Sequence, residues 1–144
     1  MLVTDHERAR ALLEDVREGL LGVHKALLAI ARAEYEGLHG PIASPGTLLQ
    51  LLIGDEAFAW LHPVSELAAR ADELVEEPEL PDEELTAIAR TAGDLLAPDE
   101  VGSGFAKRYF DAIQSSPDVA MAHAQARRAI TALSAAAASS DARS

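Results

Sequence analysis

The chain holds 144 residues with no cysteine, 12 basic against 24 acidic side chains and a net charge of −12. That length suits one domain whose core folds without a disulfide or metal, the missing cysteine excludes thiolate zinc sites and a cysteine nucleophile, and the acidic balance argues against a nucleic-acid partner. Apolar residues make up 49% and aromatics 4%, which argues against intrinsic disorder of the chain and predicts a core of Leu, Ala, Ile and Val.

From about Asp5 to Leu38 the sequence reads as one long helix, with Asp5 as its cap and Glu7 in the first turn. Leu13, Val16, Leu20, Val23, Leu27 and Ile30 recur at alternating spacings of three and four, a heptad-like stripe. Beside it runs a second stripe of Leu21, His24, Leu28, Ala31 and Tyr35. Two adjacent stripes predict a wide buried face. At ~1.5 Å per residue the helix spans roughly 50 Å, so it is expected to overhang the core or to cover a partner chain.

Gly37-Leu38-His39-Gly40-Pro41 stops the helix. Ser44-Pro45 restarts one that carries Leu48, Leu49, Leu51, Leu52 and Ile53. Gly54-Asp55 interrupts it, a short turn holds Phe58, Trp60 and Leu61, and Pro63 opens a helix to about Val75. The stretch Glu76 to Glu84 has six carboxylates and two prolines, and it is read as a solvated loop leading into a helix that ends near Leu96. Helices from Phe105 to Gln114 and from Ser116-Pro117 onward complete the chain, the last with Val119, His123, Ala126, Ile130 and Leu133 on one face. Residues 135–144 are expected to form a disordered tail.

No alternating run long enough for a strand is present. The expected fold is all-α: an antiparallel bundle of five to six helices in one domain over residues 1–134, with a long first helix and a kinked second arm. The first eight residues have no apolar targeting core and no stretch approaches ~18 apolar residues, so a cytoplasmic protein with no membrane contact is expected. Lysine occurs at Lys25 and Lys107 alone while arginine and alanine abound, a bias that suggests a bacterial, GC-rich source.

The candidate chemistry is sparse. His24 and His123 lie on inward stripes and would approach each other if their helices pack together, as ligands or as core histidines. Glu36-Gly37-Leu38-His39 is a lone Glu-x-x-His at a dissolving helix end, short of the two motifs a di-iron bundle uses. Glu34 falls one heptad step past Ile30, with an arginine as its expected partner or, if it is buried, as a further candidate ligand-binding group beside His24, Trp60 and His123. Trp60 is read as core or as the wall of a small apolar pocket. Gly102-Ser103-Gly104 before Lys107 and Arg108 resembles a small anion site made of Ser103, Gly104, Lys107 and Arg108, although the cations alternatively pair with nearby acids. No nucleophile motif is present, no metal site is expected and no cofactor is predicted. The expectation is a non-enzymatic interaction module that self-associates through the first helix as a homodimer. The alternative is a bundle that binds a small ligand or metal through His24 and His123, or an apolar molecule near Trp60.

Overall fold

The computed structural model describes residues 5–143, and their side chains through residue 139. Those residues form seven helical segments and no strand: α1 (Asp5–His39), α2 (Pro45–Gly54), α3 (Glu56–Ala59), α4 (His62–Glu76), α5 (Asp82–Leu95), α6 (Phe105–Ser115) and α7 (Pro117–Arg143). The turn after Asp55 is itself a single helical turn, α3, its first amides capped by the Asp55 carboxylate, which accepts from Ala57 N–H at 2.8 Å. Ser44 caps α2 in the same way, through Thr47 N–H, with Pro45 at the first position.

Contacts along α1 fix the topology. Arg10 donates to the carbonyls of Val75 and Glu77 at the end of α4, Arg17 pairs with Asp72 at 3.0 Å, and His24 faces His62 at the start of α4. Residue numbers rise on α1 as they fall on α4, so the two are antiparallel. Likewise the first turns of α1 meet Ala136 and Ala137 of α7, and Gly19 meets Ala126. Helix α5 runs against both α4, through Arg70 and Glu84, and α7, where Arg127 donates to the Gly93 carbonyl at 3.0 Å. Helices α1, α4, α5 and α7 therefore form an up-down-up-down four-helix bundle.

Its core is the predicted one: Leu13, Leu20, Leu27, Val16 and Val23 of α1 are fully buried against Val64, Leu74, Leu85, Ile88, Val119, Ala126 and Leu133. Each such Leu or Val contributes about 1.5–3 kcal/mol relative to an exposed side chain. The overhang of α1 is covered on one side within the chain, while Leu38 in its last turn stays exposed. Its last turns lie under α3, where Tyr35 and Phe58 rings are 5.7 Å apart, and beside α6, where Glu34 meets Arg108.

Two expectations need correction. The end of the chain is not a loose tail: α7 continues to Arg143 and buries Ala137, which carries on the spacing of Ile130 and Leu133. The alanine run from Ala135 to Ala138 is strongly helix-favouring, and its small side chains fit against α1. Ser144, the last residue of that expected tail, lies outside the described residues. Ile30, read as a core position, is half-buried, and Ala31 takes its place in the core.

The acidic stretch behaves as a solvated connection. Glu76, Glu77 and Glu79 are exposed, Leu80 is buried as an anchor, and Arg10 holds the Glu77 carbonyl at 2.7 Å. Arg10 thereby satisfies carbonyls that the end of α4 leaves open.

Candidate functional site

The six aromatic side chains collect at one end of the bundle, where α1 ends and α7 begins. Trp60 and Phe105 ring centroids are 6.3 Å apart, Phe105 stacks on Tyr109 at 5.3 Å, and the Tyr109 ring meets His123 edge-on at 5.3 Å. Tyr109 is fully buried, and its hydroxyl shares a 2.7 Å hydrogen bond with His123 Nδ1. Burial pushes the Tyr109 pKa up and the His123 pKa down, and Arg127 lowers the latter further, so both groups are held neutral.

The structure brings together three residues that the sequence treated separately. The Arg108 guanidinium lies over the Trp60 ring at 4.3 Å and pairs with Glu34 at 3.5 Å. The arginine partner expected for Glu34 is thus supplied by α6, but the Glu34 side chain is 59% exposed rather than lodged in the core. Trp60 is half-buried, and its indole N–H is buried with no hydrogen-bond partner.

In the Gly-Ser-Gly loop, Gly104 takes a positive φ of 64° and opens α6 with no side-chain cap. Asp99 organises the loop, accepting from Val101 N–H at 3.1 Å. Lys107 pairs with Asp111 at 3.0 Å and Arg108 with Glu34, so both cations of the expected anion site already face carboxylates. Ser103 is exposed and makes no side-chain hydrogen bond.

His24 and His123 have different partners. His123 belongs to Tyr109, whereas His24 lines a cleft between α1, α2 and α4 of about 270 Å³, shared with His62, Phe58, Leu61 and Leu52. His62 Nε2–H donates to the Leu52 carbonyl at 2.8 Å and ties α2 to α4. The His24 imidazole is half-buried and makes no hydrogen bond. Burial lowers its pKa first, and the neighbouring His62 lowers it further. No group of three His, Cys, Asp or Glu side chains with metal-binding geometry occurs among the described residues. His62 was missed in the sequence. Its signal was its place directly before Pro63, where a helix start fixes its direction against the preceding arm.

Helix α2 is the most unusual surface. From Gly40 to Gly54 no residue carries a charge, in a chain of which 25% is charged. Yet α2 buries no residue at all: Ile53 is 70% and Leu49, one turn before it, 57% exposed. Exposed apolar residues grouped in this way mark a contact surface more often than chance scatter does.

No protein-family model, curated protein or solved structure matches the chain. No helix among the described residues is long and apolar enough to cross a membrane.

Proposed function

We propose that the protein is a non-enzymatic interaction module that self-associates, and that the contact is made by α2 rather than by the face of α1. The observation that carries this is an uncharged apolar helix with no buried residue. The stripes of α1 are largely used inside the chain, on α4, α7 and α3, which leaves Leu21 as its one strongly exposed large apolar residue before Leu38. Two copies each of charge −12 repel at most approaches. The segment 40–54 is where that repulsion is weakest and where apolar area is gained on contact. An antiparallel pair of α2 helices would cover Leu49 and Ile53 of each copy across a two-fold axis, as a symmetric dimer requires.

Sedimentation velocity over a micromolar concentration range tests this. A monomer–dimer equilibrium is expected for the wild type. Leu49→Glu and Ile53→Glu should abolish it while helicity is kept, and Leu21→Glu should leave it intact. A strictly monomeric wild type, or loss of the dimer with Leu21→Glu alone, refutes the proposal.

A second reading, a bundle that holds a small ligand, draws on the cleft beside His24. It has an apolar wall and an imidazole without a hydrogen bond, and His123 takes no part in it.

A further inference from the structure

The cleft between α1, α2 and α4 combines features that point to one ligand chemistry. Its walls are Leu52, Ile53, Phe58 and Leu61, and its polar groups are the imidazoles of His24 and His62 and the Ser65 hydroxyl. Ser65 is committed to the His62 backbone carbonyl at 3.1 Å, and His62 Nε2 to the Leu52 carbonyl. That leaves the His24 ring and the second nitrogen of His62 without protein partners among the described residues. Those ring nitrogens reach solvent in the cleft mouth, since Trp60 Nε1 and not an imidazole nitrogen is the buried atom left without a partner among the described residues, so both imidazoles are accessible to a ligand. No carboxylate lines the cleft.

We propose that this cleft holds the hydrocarbon tail of a small apolar monocarboxylate whose head group is bound by His24 and His62. The assignment deepens the ligand-binding reading and rests on it. A carboxylate would satisfy the His24 ring and the free His62 nitrogen together, and it would favour the charged form of His24, which burial disfavours. A neutral alcohol offers one hydroxyl and no charge. A volume of about 270 Å³ is just below the usual range for small-molecule sites and matches a chain of about six to eight carbons.

The charged groups around the cleft do not compete. Helix α2 contributes none. Asp55, before α3, uses its carboxylate on Ala57 N–H. Lys25 on α1, Glu56 on α3 and Glu66 on α4 are exposed to solvent. The net charge of the whole chain opposes an anion, but at physiological salt the reach of each exposed charge is cut to ~8 Å, which weakens that opposition.

Binding should strengthen as pH falls through the imidazole range, about tenfold for each unit by which the carboxylate raises the titration midpoint of a histidine. The test is NMR of the full-length protein, with the imidazole resonances followed as a function of pH and of added hexanoate or hexanol. Hexanoate is expected to raise the His24 midpoint and to bind about tenfold more tightly than hexanol below neutral pH. His24→Gln and His62→Gln, each checked for intact helicity, should remove that preference. Equal binding of hexanol and hexanoate overturns the carboxylate assignment and leaves the ligand-binding reading standing. Failure of both probes to perturb His24 or His62 overturns both. Hexanoate binding that perturbs only residues outside the cleft also overturns the assignment.

Discussion

Two glycines three residues apart on α1 should respond to the same substitution with opposite sign. A Cβ at Gly19 would lie 2.9 Å from Ala126 Cα and 3.2 Å from Ala126 Cβ, whereas one at Gly22 would meet nothing within 4 Å. Carbon atoms rest comfortably at ~3.5–4.0 Å, so Gly19→Ala requires α1 and α7 to move apart by about half an ångström or more. The obstructing atom is backbone, and no side-chain rotation relieves it. Overpacking of this kind costs about 1–3 kcal/mol. Against it stands the gain in helix propensity, about 1 kcal/mol for Gly→Ala in a helix interior. Gly19→Ala is therefore expected to destabilise by up to about 2 kcal/mol, and Gly22→Ala to stabilise by up to about 1 kcal/mol. Because the propensity gain is common to both, the difference between the two mutants isolates the helix contact. Urea denaturation followed by circular dichroism at 222 nm reads it directly. Equal stabilisation by both substitutions would mean that α1 and α7 do not meet at Gly19, and the bundle would be wrongly assembled.

Other consequences follow from the aromatic end and from titration. Tyr109→Phe should lower stability by about 1 kcal/mol, because it removes the hydrogen bond to His123 and leaves the ring packing intact; an unchanged urea midpoint would show that the bond contributes nothing. Arg108→Ala should uncover the Trp60 ring, shift its fluorescence, which is that of the sole tryptophan, and cost about 0.5–1 kcal/mol. An unaltered emission spectrum would contradict the stacked geometry. Stability should fall on acidification: His24 and His123 have folded pKa values below their ordinary 6.5, so their contribution is complete above that value and is lost as pH drops below it. Glu36, lowered chiefly by the Ile42 amide and also by Arg32, adds a further loss below its ordinary 4.5. Replacing both His24 and His123 by Gln should flatten the urea midpoint between pH 7.5 and 5.5, and a midpoint that rises on acidification in the wild type would refute the assignment.

The bundle was legible because its helices announce themselves locally. Ser44-Pro45, Pro81 with three acids after it, and the apolar spacing of α1 and α4 fix element type and inward face without knowledge of neighbours. What failed did so for a geometric reason. A stripe with alternating spacings of three and four averages 3.5 residues per turn, while a straight helix has 3.6, so the stripe drifts by about 20° per heptad. By the third heptad the core face has passed from Ile30 to Ala31, and Glu34 has rotated out to meet Arg108. Alanine was the second source of error. It carries too little apolar signal to mark Ala137 as core within a run of Ala and Ser, although close helix packing depends on it. The site was legible only in pieces. His24, Glu34, Trp60 and Arg108 were each visible, but the link from Glu34 to Arg108 to Trp60, and the pairing of His24 with His62 rather than His123, are cross-helix relations that spacing within one helix does not contain.

The central claim, that α2 is the surface through which copies meet, can be measured directly because the chain has no cysteine. A single Gln50→Cys substitution on exposed α2 and, separately, Glu79→Cys in the loop at the opposite end of the bundle each carry one spin label. Electron–electron dipolar spectroscopy at dimer-forming concentration should give a defined, short distance between copies for the label at position 50 and none at position 79. No coupling at position 50 in a protein that sediments as a dimer, or short coupling at position 79 instead, would place the contact elsewhere and contradict the account.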